Sequence, residues 1–209
     1  GKTMFLKARS MAGDREELLH FLFLVFRSLG VQGVREKTKE GNQRAVAMFQ
    51  EAASFNRPPE DMASIYFNMG VAYRELALQA EGAEKQAAFE SSVASYQKVL
   101  DINPDDQEAL ENLALLEVEL NAFPEAIAFG KRLVDTEPWK SYFHQVMVGL
   151  YMASSDQEKS VAHGMISRVL DSGSPLAAST ARDEAKKCPG SDMYKTILNR
   201  RSLILGRRV

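Results

Sequence analysis

Glu17-Leu-Leu-His20 places a carboxylate and an imidazole three residues apart, the interval that sets two metal ligands on one helix face. A two-metal site of that kind needs a second ExxH and two further glutamates from other helices, and the chain has no second ExxH. His20 is therefore expected to pack at the edge of a buried helix. His144 and His163 have no neighbouring Cys or spaced His, so both are expected to pack rather than ligate. Cys188 follows Lys186 and Lys187, which favour its thiolate, but no base or orienting group stands near it in sequence. Gly1-Lys2-Thr3 has the last letters of a phosphate-binding loop without the glycine-rich turn or strand before it, and Gly30-Val-Gln-Gly33 lacks GxGxxG and reads as a loop. Nowhere do two or three polar groups converge as catalysis requires, so no catalytic residue, metal ligand or cofactor is assigned.

The elements that carry these residues follow from spacing. With 45% apolar and 26% charged residues among 209, the composition is that of an ordinary globular protein. One cysteine excludes an internal disulfide framework. The run LLHFLFLVFRSL at 18–29 is shorter than the ~20 residues of a membrane span, holds His20 and Arg27, and follows acids rather than a basic flank. It reads as a buried helix, or as a surface that pairs two copies. Gly1 reads as a processed or truncated end, which leaves the compartment open with the cytoplasm slightly favoured. Residues 61–140 hold 15 acids against 6 bases, and 175–209 hold 8 bases against 3 acids. Aromatic and basic residues are not interleaved, which argues against nucleic acid.

VLDINPDD at 99–106 and LVDTEPWK at 133–140 repeat an apolar pair, Asp and Pro at an interval of 34 residues. Proline two residues past an apolar helical run stops the helix, so Pro104 and Pro138 each end the second helix of a pair, and Asp105 and Asp106 stand ready to cap the next. Two amphipathic helices joined by a tight turn fill such an interval, and neither buries its apolar face without a neighbouring pair.

Numbered with Pro138 at position 32, the unit has Leu110, Leu113 and Ala114 at positions 4, 7 and 8, Ala126 at 20 and Leu133 at 27. The preceding unit has Tyr66, Met69, Gly70 and Tyr73 at 4, 7, 8 and 11, then Ser92, Tyr96, Val99 and Pro104 at 20, 24, 27 and 32. This pattern resembles the tetratricopeptide repeat. The resemblance implies an all-α fold, a right-handed superhelix of antiparallel helix pairs, with an array over residues 42–174. It comprises about three units, one carrying ten extra residues near 78–87 that lengthen a helix or loop out. Ala45, Phe49 and Ala52 fit the second helix of an earlier unit, and His144, Met147 and Tyr151 the first helix of a later one. Residues 1–41 are expected to hold N-terminal helices turning at Gly13, with 30–41 a short helix between loops; 175–209 would form a closing helix pair broken at Pro189 and Gly190, with Ser191 as a cap.

The same resemblance implies a non-catalytic scaffold that holds a protein or peptide in a concave groove, lined by positions 2, 5, 6, 9, 12 and 13. Carried over by position, the partner-binding candidates are Phe67, Asn68, Val71, Arg74, Glu108, Asn112, Leu115, Tyr142 and Gln145. Glu108, Glu111 and Glu119 favour a basic or neutral partner. The subgroup that clamps C-terminal carboxylates uses Lys and Arg at positions 2, 5 and 6, where this chain has Ser64, Phe67, Glu108, Glu111 and Tyr142. Glu117 and Gly130 stand where aromatics are usual, so that layer is expected to pack loosely and to bend or admit a partner side chain, with Trp139 as a cover. A docking or self-associating segment of a longer polypeptide is the alternative role, and a helical-repeat RNA reader is disfavoured by the prolines and the acidic middle.

Overall fold

The computed structural model describes residue 7, residues 16–55 and residues 57–171. The sequence expectations for residues 1–3, Gly13, Cys188, Pro189, Gly190, Ser191 and the closing pair over 175–209 lie outside them. Among the described residues every element is an α-helix: α1 (Glu16–Arg35), α2 (Lys39–Ala53), α3 (Pro59–Leu78), α4 (Gly82–Ile102), α5 (Gln107–Glu119), α6 (Phe123–Thr136), α7 (Ser141–Ala153) and α8 (Gln157–Asp171). The fold is all-α and tetratricopeptide-like. Successive helices form antiparallel pairs in two compact units, the first ending at Pro104 and the second beginning at Asp105.

In the first unit α1 pairs with α2 and α3 with α4, while α2 also packs on α3 and α1 touches α3. Its core joins Leu22, Phe23 and Phe26 of α1 to Ala45, Phe49 and Ala52 of α2 and Ile65 and Ala72 of α3. Glycine makes the close approaches possible. A Cβ on Gly30 would stand 2.5 Å from the Phe49 ring, and one on Gly70 2.7 Å from the Tyr96 ring, so each ring of a second helix lies on bare backbone of the first. Ser92 Oγ donates to the Gly70 carbonyl at 2.7 Å across the same seam. Residues 30–35 are thus the last turns of α1, not a loop. The reason is steric, since a Cβ on Gly33 would meet the Gly41 carbonyl oxygen at 2.5 Å. Gly33 brings two backbones together, Gly30 seats the Phe49 ring, and neither breaks the helix. By length and composition α1 is also long and apolar enough to cross a membrane, beyond what the run at 18–29 suggested, although its Leu22, Phe23 and Phe26 are buried in this core.

In the second unit α5 pairs with α6 and α7 with α8, α6 packs on α7, and α5 touches α7. The helix starts repeat: Gln107 and Ser141 are 34 residues apart, as are Phe123 and Gln157. The turns repeat with them. Asn121 and Ser155 both take positive φ, 59° and 62°, and the next amide closes back on the helix, Ala122 N–H to Glu117 O and Asp156 N–H to Tyr151 O, each at 2.8 Å. This left-handed cap satisfies carbonyls that a helix end leaves open. Of the two carboxylates expected near the start of α5, Asp106 caps it, accepting from Ala109 N–H at 2.9 Å, and Asp156, not singled out in the sequence, does the same for α8, accepting from Lys159 N–H at 3.1 Å.

The layer at Gly130 corrects an expectation. Gly130 is buried, and a Cβ there would run into the side chains of Leu150 and Met147 from α7, themselves 2% and 0% exposed. At Gly130 the place of the absent aromatic is taken by two residues of the next helix, so that position is filled and not open to a partner side chain.

Candidate functional site

Asn112 stands one turn beyond Glu108 on α5 and donates its side-chain amide to the Glu108 carbonyl at 2.8 Å. Leu115 follows on the same face, 43% exposed. On α7 the exposed positions include Tyr142, 47% accessible, then Gln145, Gly149 and Met152, the last 67% accessible. The two helices are tied by a short hydrogen bond from the Tyr142 hydroxyl to Glu111 Oε1. That bond, with burial and the carboxylate charge as lesser causes, holds the Tyr142 phenol above its ordinary range, so the group is a donor at every physiological pH. Gln145 Nε2 reaches Asp171 Oδ2 at 3.5 Å. Over Gly149 an added Cβ would meet nothing within 4 Å, so the face is open there. The result is one surface with carboxylates at Glu108 and Glu111 and apolar groups at Leu115, Tyr142 and Met152.

The candidates Glu108, Asn112, Leu115, Tyr142 and Gln145 are all on this surface. Phe67, Asn68, Val71 and Arg74 belong to α3 of the first unit and are half-buried. There Phe67 meets Tyr96 edge-on at 5.3 Å, the Asn68 amide donates to Ser64 O at 2.7 Å, and Arg74 pairs with Glu75 at 3.8 Å. None of the four lines either of two concave features described in that unit, one of about 560 Å³ beside Leu24, Arg27 and Val31 of α1 and a groove of about 470 Å³ between α2, α3 and α4. Its walls include Gln50, Tyr66, Tyr73, Ser95 and Lys98, with Gln50 Nε2 donating to the Tyr73 hydroxyl at 3.2 Å and the Lys98 ammonium 4.8 Å from the Tyr66 ring centre. Sequence reasoning gave Tyr66 and Tyr73 to the helix seam and overlooked Gln50 and Lys98. A long polar side chain one helix away has no periodic signature.

The histidines fall as packing residues. His20 stacks with Phe23 at 6.4 Å. His144 and His163 are both 0% exposed and face each other, Nδ1 to Nδ1, at 3.0 Å. Two imidazoles without a third donor do not make a metal site, and among the described residues no group of three His, Cys, Asp or Glu converges.

No family model and no curated protein matches the chain. Among solved structures, the one named MamA MSR-1 C2 is similar at 17% identity and a TM-score of 0.38, over 72% of this chain and 97% of that one. The repeat architecture stands on the helix pairs themselves.

Proposed function

We propose that the protein is a non-catalytic scaffold and that the α5–α7 face of its second unit holds a basic, partly apolar peptide or helix. The observation that carries the reading is the exposure of Leu115, Tyr142 and Met152 beside Glu108 and Glu111 on one surface. Apolar anchors ringed by charge are the usual anatomy of a recognition patch. The carboxylates select cations and repel acidic sequences, and the amides of Asn112 and Gln145 offer polar contacts to a peptide backbone. Phe67, Asn68, Val71 and Arg74 of the first unit are a separate candidate stretch, read from the sequence alone.

Selection from a random peptide library tests it. Wild type is expected to enrich peptides that combine Lys or Arg with large apolar residues, and Glu108→Lys/Glu111→Lys is expected to weaken them at least tenfold. Enriched peptides that bind the reversed variant equally well would place recognition elsewhere.

A further inference from the structure

While both rings are neutral, the chain of hydrogen bonds through the buried histidines fixes their tautomers. Nε2 of His144 lies 2.8 Å from the Pro138 carbonyl oxygen, which can only accept, so Nε2 carries the proton. Nδ1 of His144 is then an acceptor, and the Nδ1 of His163 at 3.0 Å must be its donor. The chain runs from α8 through α7 to the segment before α7. Tyr151 of α7 stacks on the His163 ring at 5.5 Å, and Lys159 of α8, paired with Asp156 at 2.5 Å, lies 5.4 Å from the Tyr151 ring centre. From α6 the charged neighbour is Lys131, a cation. The rest of the α7–α8 seam is neutral, with Ser141 Oγ 3.3 Å from Ser167 Oγ and Ser160 Oγ donating to Val148 O at 3.3 Å. A proton added to either ring buries a cation in this seam, near Lys131 for His163, and one on Nδ1 of His144 also forces His163 to move its own proton to Nε2.

We propose that the His144–His163 pair is an acid-opened latch, which clamps α8 onto α7 while both rings are neutral and releases this helix pair on mild acidification. Burial lowers the basicity of both rings; the Pro138 bond partly opposes it for His144, while His144 and Lys131 reinforce it for His163, pushed down to about 3. An unfolded histidine takes its proton near pH ~6.5, so between that value and the folded one the unfolded chain binds more protons and stability falls as pH falls. From pH 7.5 to 5.0, His163 alone shifts the unfolding equilibrium by roughly 30-fold.

Urea unfolding of the full chain, followed by fluorescence of the single tryptophan Trp139, is compared at both pH values for wild type and His144→Gln/His163→Asn. The variant keeps neutral amide donors near the two ring positions, and His20 and the carboxylates are common to both proteins. Wild type is expected to lose at least about 30-fold more than the variant on acidification; equal losses overturn the latch. Should the variant fail to fold, imidazole ¹⁵N spectra of wild type decide the matter. Two neutral rings of opposite tautomer, kept until the native spectrum disappears, support it, and rings that become cationic in an intact native spectrum overturn it.

Discussion

Gly33→Ala is the sharpest test of the first unit, because the new methyl would meet main chain. Its carbon would stand 2.5 Å from the Gly41 carbonyl oxygen and 3.1 Å from both Cβ and N of Ala45. Ordinary contacts are near ~3.5 Å, so about 1 Å of separation must open between α1 and α2. No rotamer change supplies it, and the Phe23, Phe26 and Phe49 contacts along that seam loosen together. Overpacking of this kind costs about 1–3 kcal/mol, and two backbones in contact put it at the upper end. Alanine's helix preference returns about 1 kcal/mol, leaving a net loss of about 2. With a urea slope of roughly 2 kcal/mol/M, the far-UV CD midpoint for the first unit drops by about 1 M. Gly149→Ala is the control, since the same exchange over open space should raise the second unit's stability by about 0.5–1 kcal/mol. A Gly33→Ala protein as stable as wild type would mean that α1 and α2 do not touch at this seam.

Two further outcomes follow from buried polar groups. Desolvation first, and then the charge of Glu125, hold the Glu117 carboxyl above its ordinary value, so the folded chain binds its proton more readily than the unfolded one. Stability therefore falls as pH rises through that window, and Glu117→Gln should be the more stable protein at pH 7 with its advantage fading on acidification toward pH 4; melting temperatures that differ by the same amount at both pH values would contradict this. Asn42 is 0% exposed, and among the described residues neither side-chain polar atom of its amide has a hydrogen-bond partner. Asn42→Leu, close in shape, is expected to gain about 1 kcal/mol in urea unfolding, and a loss of that size would reveal a polar partner for the amide.

The second unit was largely legible because its sequence obeys one interval. Pro104 and Pro138 each lie two residues past a helix end, after Ile102 and Thr136. Leu110, Leu113, Ala114, Ala126 and Leu133, taken from the resemblance, are all buried. The first unit was harder because its glycines carry two opposite meanings. Gly70 was readable beside aromatics at known positions, whereas Gly30 and Gly33 looked like punctuation until Phe49 and Gly41 were seen opposite them. Compensation across helices was not legible at all. Gly130 looked like a defect, although Met147 and Leu150 of another helix fill its place, and the pairing of His144 with His163 has no signature in either helix. The candidate surface was legible only position by position. The bond that joins its two helices, Tyr142 to Glu111, depends on how α7 lies on α5.

The ten extra residues near 78–87 show how a repeat tolerates length. Aligning Gly70 with Ala114, α3 ends at Leu78, three residues beyond the place that matches Glu119, the end of α5. Aligning Ser92 with Ala126, α4 begins at Gly82, seven residues before Phe89, which matches Phe123. The excess is entirely helix, and the turn keeps three residues, Gln79 to Glu81, as Leu120 to Ala122 do. Seven residues make about two turns, so the added segment leaves the apolar stripe of α4 in phase. Glu81 to Ala87 are exposed, and Phe89 is the first buried side chain of the helix. Among the described residues its outward tie is one ion pair, Lys39 to Glu84 at 2.9 Å, of a kind that contributes under about 1 kcal/mol. Excising residues 78–87 should therefore leave Tyr66, Gly70, Ser92 and Tyr96 in their seam and lower stability by only about 1–2 kcal/mol, chiefly through Leu76 and Ala77 at the new turn. Helical content by CD and a cooperative urea transition would establish that result. A chain that no longer folds would mean that the projecting turns hold the hairpin together, and that the 34-residue interval does not by itself close an α3–α4 pair.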